Sequence, residues 1–131
     1  MNVKQVKTFW VEQSDKDWEV ARSLFNLRHY AHALFYCHLS LEKLLKAVIV
    51  QETKKQSPYS HDLLALIEKV DVDASDEQRI RLNEITTFNV RARYDDIKYH
   101  FYKKATKKYA TKYMEITKKL RIWLKRNYLK K

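Results

Sequence analysis

The sequence lacks glycine altogether and has a single proline, Pro58, among its 131 residues. A Gly-rich phosphate loop and a dinucleotide-binding fingerprint both need glycine where the backbone approaches phosphate, so neither is present. Tight two-residue hairpins are disfavoured as well, because their positions with positive φ usually hold Gly or Asn. A chain without the residues that interrupt helices and form tight turns is predicted to be all-α.

Cysteine and long apolar runs are also scarce. Cys37 is the only cysteine, which excludes an internal disulfide and a metal site built from several cysteines. The first residues contain no apolar run typical of a signal peptide, and no segment reaches the ~20 apolar residues of a membrane helix. We therefore expect a soluble, cytoplasmic protein with no membrane contact, folded as one domain over residues 1–131.

The charge is distributed unevenly. The net charge is +11, yet residues 98–131 hold 13 basic residues and one acid, Glu115, whereas the rest of the chain holds 14 basic and 15 acidic residues. Such asymmetry favours an anionic partner, for instance a nucleotide or RNA, an acidic protein or a membrane surface. A solvated lysine-rich helix face without a dedicated partner is the alternative.

Four long segments repeat apolar residues at helical spacing and predict an antiparallel up-and-down four-helix bundle. An extra short helix is expected after Pro58, with Ser60 as its N-cap. The three tryptophans, Trp10, Trp18 and Trp123, are expected to supply much of the burial. The apolar positions are Val11, Ser14, Trp18, Ala21 and Phe25; Tyr30, Leu34, Cys37, Leu41, Leu44 and Val48; Ile80, Leu82, Ile85 and Phe88; and Tyr102, Tyr109, Tyr113, Ile116, Leu120 and Trp123.

The second of these helices has two apolar faces. Phe35 and Leu39 lie nearly opposite Cys37 at about 100° per residue. Such a helix either lies at the centre of the bundle or contributes one face to another subunit, so we expect a homodimer. In the same helix, His38 is expected to be a buried, hydrogen-bonded residue or an interface residue. His29 and His32 have metal-ligand spacing but nothing nearby completes a ligand set, and no metal or other cofactor is predicted.

The richest chemistry lies between Arg91 and Tyr102. Two arginines, two carboxylates, a histidine and three tyrosines occur within these twelve residues. Arginine binds phosphate bidentately, histidine transfers protons near neutral pH, and tyrosine can stack on a base. These side chains would suffice for phosphodiester cleavage without a metal. They could equally form a salt-bridged turn in which Asp95 and Asp96 neutralise Arg91 and Arg93.

The last helix carries a basic ribbon on the side away from its apolar stripe. This ribbon would attract phosphate without regard to sequence. Its residues are Lys103, Lys104, Lys107, Lys108, Lys118, Arg121 and Lys125.

Taken in order along the chain, several motifs resemble the HEPN domain, named for higher-eukaryote and prokaryote nucleotide binding. They cover nearly the whole sequence. The matching pieces are Trp10, residues 17–18, 30–33, 41–47, 60–63, 88–96 and 101–106.

This resemblance implies a four-helix bundle, usually a homodimer, that works beside a small nucleotidyltransferase in a toxin–antitoxin-like pair. Many family members are metal-independent RNases whose motif is an arginine followed a few residues later by a histidine. Here six residues separate Arg93 from His100, and Tyr102 follows. The sequence departs from the active members at Tyr94, where they usually have a small polar residue. It departs at Asp95 from the nucleotide-binding branch, which usually has proline there.

Two functions follow as expectations. In the first, the bundle binds a nucleotide or RNA, with a possible endoribonuclease activity carried by Arg93, His100 and Tyr102. In the second, it is a non-catalytic subunit that binds a partner protein through its second and last helices. For the first, the expected phosphate-binding residues are Arg91, Arg93, Tyr94, Lys98, Lys104 and Lys108.

Overall fold

The computed structural model describes residues 1–95 and 99–130, which form six helices and no strand. The four long helices form the predicted up-and-down bundle, so the all-α prediction is confirmed. Nowhere in these two ranges is a helix both long and apolar enough to cross a membrane. The helices are α1 (Val3–Asn26), α2 (Tyr30–Thr53), α3 (Leu63–Ile67), α4 (Asp76–Arg91), α5 (His100–Lys104) and α6 (Lys107–Tyr128).

Contacts along α2 give the directions of its neighbours. Near its start, Cys37 Sγ lies 3.4 Å from Met114 Sδ of α6. Near its end, Gln51 Nε2 donates to the carbonyl of Tyr128 at 2.8 Å. Helices α2 and α6 therefore run in the same direction, and α1, which immediately precedes α2, runs opposite to both.

Side-chain caps define where most helices begin. Asn2 and Ser75 each form a capping box, at the starts of α1 and α4. The predicted cap of α3 was wrong by two residues, because the carboxylate of Asp62, rather than Ser60, accepts from the first backbone N–H groups. The Ser60 hydroxyl accepts instead from the N–H of Asp62 at 3.2 Å.

Helix α2 lies at the centre of the core. A central position was one of the two explanations that the sequence offered for its two apolar faces. It is buried on nearly all sides, whereas Phe35 and Leu39 remain half-buried. The largest fully buried side chains belong to leucine, isoleucine and phenylalanine: Phe88, Phe101, Leu34, Leu41, Leu44, Leu45, Leu63, Leu66, Ile67, Leu82, Ile85 and Leu124.

The tryptophans are less buried than expected. All three are half-buried at the edge of the core. Trp18 packs against the guanidinium of Arg121 at 5.8 Å, and Trp10 lies 5.3 Å from the ammonium of Lys46. An indole can face apolar groups on one side and a cation on the other, so it suits the rim of a core better than its centre.

Two positions of the predicted apolar stripes are exposed. Ile80 is 62% exposed, because it lies about 140° around α4 from Ile85. Tyr102 is 66% exposed and belongs to α5. The last helix was predicted to include Tyr102, but the helical conformation is interrupted at Ala105. Helix α6 starts after Thr106, whose hydroxyl caps it by accepting from the N–H of Tyr109.

Candidate functional site

Arg93 lies just beyond the end of α4, exposed to solvent. Its Nε donates to the carbonyl of Asn89 at 3.2 Å. The guanidinium also stacks on two rings, with its carbon 5.6 Å from the centre of Phe35 and 5.3 Å from that of Tyr94. These contacts restrain the position of the guanidinium at the surface.

Arg91 ends α4 and is also exposed. Its guanidinium carbon lies 5.9 Å from the ring centre of Phe101. Phe101 is buried against Phe88, with the ring centres 5.5 Å apart. The two arginines are therefore each braced by an aromatic ring, and both lie at the same end of the bundle.

Asp95 connects this arginine-bearing turn to α5. Its carboxylate accepts from the backbone N–H of Phe101 at 3.0 Å and from that of Tyr102 at 2.8 Å. Tyr99, just before the helix, has the left-handed conformation with φ 56°, which is uncommon for a residue other than glycine. The sequence predicted a neutralising role for Asp95, and its two bonds to the start of α5 were not foreseen.

The other predicted catalytic residues are carried by α5. His100 is the first residue of this helix and Tyr102 is the third, and both are exposed. Arg93 therefore precedes Asp95 in the chain, and His100 and Tyr102 lie on the short helix that Asp95 caps. Lys98, predicted to bind phosphate, and Asp96, predicted to neutralise an arginine, lie outside the described residues.

Two of the lysines predicted to bind phosphate lie in the described residues. Lys104 forms an ion pair within the fold, whereas Lys108 is exposed to solvent. Lys104 Nζ lies 3.2 Å from Glu84 Oε1, which also accepts from the hydroxyl of Tyr109 at 2.7 Å. Burial by itself would raise the pKa of Glu84, but the hydrogen bonds from Tyr109 and Lys104 outweigh it and the pKa is lowered. Glu84 therefore stays ionised and holds the start of α6 against α4.

A buried polar cluster around Glu42 was missed by the sequence analysis. Glu42 accepts from His61 Nδ1 at 2.7 Å and from Lys46 Nζ at 3.0 Å. The neighbouring His38 is fully buried and donates from Nε2 to the carbonyl of His61 at 2.7 Å. The sequence indicated only the burial and hydrogen bonding of His38. For the rest of the cluster, the signal was that Glu42 lies four residues from both His38 and Lys46, a spacing typical of helical ion pairs.

This cluster joins α2 to the segment that leads into α3. It fixes His61 on the bundle. Across the described ranges, no group of three or more His, Cys, Asp or Glu side chains is arranged to hold a metal ion.

Comparison with known proteins agrees with this architecture. A solved structure, that of TT1696 from Thermus thermophilus, superimposes with a TM-score of 0.80 and 20% identity, covering 96% of this chain and 98% of that one. At that level of identity the similarity concerns the fold alone. No curated protein matches the sequence significantly. The family profile described as HEPN domain matches residues 8–127, and the chain therefore belongs to the HEPN domain family.

Proposed function

We propose that this protein binds the phosphates of a nucleotide or an RNA strand at the end of the bundle that carries Arg91 and Arg93. The orientation of Arg93 is the observation that carries the proposal. Its one hydrogen bond within residues 1–95 and 99–130 leaves from Nε, and the two Nη groups donate to no residue of these ranges. A guanidinium restrained by such contacts loses less freedom on binding and can meet phosphate bidentately.

The exposed lysines of α6 support the same function. Helix α6 begins beside this end of the bundle, where Tyr109 contacts Glu84 of α4. Lys107, Lys108 and Lys119 are exposed along its length of about 33 Å. They would extend the positive surface beyond the arginines, so a strand longer than one nucleotide could be held.

Binding of a fluorescein-labelled RNA of about twelve nucleotides, followed by anisotropy, tests the proposal. Because hydrogen bonds between charged groups contribute about 1.5–3 kcal/mol, Arg93→Gln should weaken binding about tenfold or more. The affinity of Arg93→Lys should fall between that of the unmodified protein and that of Arg93→Gln, since an ammonium keeps the charge but not the bidentate geometry.

Arg79→Gln, a change near the opposite end of α4, is the matched control. It removes the same charge and should have little effect. Equal losses in Arg79→Gln and Arg93→Gln would mean that only net charge matters and would overturn the assignment of Arg93.

A metal-independent endoribonuclease is the second candidate. The hydrogen bonds of Asp95 to the start of α5 favour it, because they hold His100 and Tyr102 on the same turn as Arg93. In this reaction a 2′-hydroxyl attacks the adjacent phosphorus, the bond to the 5′-oxygen breaks, and a 2′,3′-cyclic phosphate is released. His100 would transfer the proton, Arg93 would stabilise charge on the phosphate and Tyr102 would position it.

Cleavage of labelled RNA, resolved on a denaturing gel, separates the two activities. His100→Ala should lower the rate about a hundredfold, within the usual range for proton-transfer catalysis, whereas His32→Ala, an exposed histidine on α2, should not. EDTA should leave the rate unchanged because the nucleophile belongs to the substrate. If the unmodified protein leaves RNA intact from acid to alkaline pH, the catalytic assignment is wrong and binding alone stands.

Two kinds of partner belong to the same proposal. We propose a homodimer, since HEPN proteins are often dimeric and apolar side chains such as Phe9 and Ile122 are exposed. Light scattering at micromolar concentration should give twice the 15.9 kDa of one chain, and the mass of a monomer would contradict the proposed homodimer.

A small nucleotidyltransferase is the proposed second partner protein. If instead a partner protein binds α2 and α6 while RNA does not bind, the non-catalytic interaction subunit is correct.

A further inference from the structure

A second candidate site lies in a groove between α1 and α6. The groove has a volume of about 360 Å³, at the lower end of the range for small-molecule pockets. Met114, in its wall, contacts Cys37 of α2. Phe35, which packs on Arg93, lies nearly opposite Cys37 around α2, so this groove is distinct from the arginine site.

Aromatic side chains form one part of the wall. Trp18 and Phe25 are seven residues apart on α1, which places them two turns apart on the same face. A neighbouring group restrains each ring, with Arg121 over one face of Trp18 and Tyr30 beside Phe25. Trp18 packs on the guanidinium of Arg121 at 5.8 Å, and the ring centre of Phe25 lies 5.5 Å from that of Tyr30. Fixed aromatic rings in a groove are what a planar base needs for stacking.

The charges in the groove favour an anion. Arg22 of α1 and Lys118 of α6 line it from opposite sides, with Glu115 as its one acid. None of the ion pairs in the described part of the chain uses Arg22 or Lys118, and both are exposed. Asn26 and Thr111 add an amide and a hydroxyl, which can hydrogen-bond a base edge or a sugar.

The α1 side of the groove is anchored by Asp15, which pairs with two cations of α6. Arg121 of α6 is buried and donates from Nη2 to Asp15 at 2.6 Å, and Lys125 reaches the same carboxylate oxygen. These bonds fix α1 against α6 one turn from Trp18. The groove is therefore a largely formed site, which lowers the cost of binding a small ligand.

We propose that this groove binds a nucleoside monophosphate, with the base stacked on Trp18 and Phe25 and the phosphate between Arg22 and Lys118. The same chemistry is offered by a free mononucleotide and by one unit of an RNA strand. This site does not depend on binding at Arg93.

Quenching of tryptophan fluorescence by AMP tests the proposal on the full chain. AMP should quench saturably, and ribose 5-phosphate and adenosine should each bind at least tenfold more weakly because one half of the ligand is missing. Arg22→Gln and Lys118→Gln should each weaken AMP about tenfold. Lys16→Gln on α1 and Arg126→Gln on α6, two exposed cations outside the groove, are the matched controls and should change little.

Further variants separate this site from the others. Trp18→Phe should abolish most of the quenching while calorimetry still detects AMP, since phenylalanine keeps a stacking surface. Saturable quenching of Trp18 by AMP should persist in Arg93→Gln, a variant that removes the other proposed phosphate site. If a short oligoadenylate displaces AMP and binds more tightly than AMP, the ligand of the groove is a unit of an RNA strand. If AMP binds at least as tightly as the oligoadenylate, the ligand is the free nucleotide.

Two results would overturn the proposal. One is the absence of saturable AMP binding at concentrations of several millimolar, where even a specific site with a Kd of about 1 mM would be largely filled. The other is an equal loss of affinity in Arg22→Gln, Lys118→Gln and both control variants. That result would show that the affinity for AMP depends only on the overall charge of the protein.

Discussion

At the scale of single residues, His38 shows how burial sets chemistry in this bundle. Its ring is fully buried, Nε2 donates to the carbonyl of His61, and Nδ1 has no hydrogen-bond partner in the described residues. Burial lowers the pKa of His38, and the hydrogen bond to His61 together with nearby Glu42 offsets this only in part. His38 is therefore held neutral in the folded protein.

Stability should consequently fall as the pH falls below about 6.5, the usual pKa of histidine. In that range the unfolded chain binds a proton at His38 that the folded protein does not, so protonation favours unfolding. The effect of one such group is at most about 1.4 kcal/mol per pH unit, and it ends below the folded-state pKa. Urea unfolding at pH 7.5 and at pH 5.5 measures it.

His38→Gln keeps a donor for the carbonyl of His61 but cannot be protonated. This variant should lose much of the pH dependence between 7.5 and 5.5. His32→Gln, which changes an exposed histidine, should retain it. An unchanged pH dependence in His38→Gln would show that other groups cause it.

At the scale of helices, the sequence predicted the four long elements because each carries an apolar stripe at helical spacing. Ser14, Ala21, Leu34, Cys37 and Phe88 are all buried as the stripes required. The start of the last helix was not predictable in this way. The spacing continues through Tyr102, and only the Thr106 cap reveals the break before α6.

The candidate site was predicted in its composition but not in its geometry. Arg93 and His100 are close in sequence, so a local pattern could identify them. The packing of Phe35 under Arg93 brings together residues 58 positions apart, and no periodicity encodes such a contact. The bond between Glu42 and His61 was missed for the same reason, because it joins a helix to a loop 19 residues later.

The start of α5 should depend on Asp95. In Asp95→Ala the backbone N–H groups of Phe101 and Tyr102 both lose their carboxylate acceptor. Loss of such a cap costs about 1 kcal/mol, and amide exchange at these two residues should accelerate. Hydrogen exchange followed by mass spectrometry or NMR measures both effects.

Two variants provide the comparison. Asp95→Asn keeps one acceptor oxygen and should restore part of the protection, whereas Asp73→Ala, in the exposed loop before α4, should leave α5 unchanged. If amide exchange at Phe101 and Tyr102 is as slow in Asp95→Ala as in the parent, the carboxylate does not hold α5.

At the scale of the whole molecule, the positive charge is concentrated on α5, α6 and the residues that follow. Part of it is already compensated within the fold. Lys104 pairs with Glu84, and Lys125 and Arg121 pair with Asp15. Lys107, Lys108 and Lys119 are exposed and take part in none of the ion pairs in the described ranges. The lysines in this second group therefore have charge to offer an anionic strand.

The salt dependence of RNA binding should distinguish these two groups of lysines. Each contact with a phosphate of single-stranded RNA releases counterions and contributes about −0.7 to the slope of log K against log salt concentration. A variant with Lys107, Lys108 and Lys119 all changed to Gln should therefore have a flatter slope, by up to about 2 if all three contact phosphate. Lys104→Gln should flatten the slope far less, because Glu84 already neutralises that ammonium. Anisotropy titrations between low and physiological salt measure all of these slopes. Equal slopes in the parent and the triple variant would mean that Lys107, Lys108 and Lys119 form a solvated face and contact no phosphate.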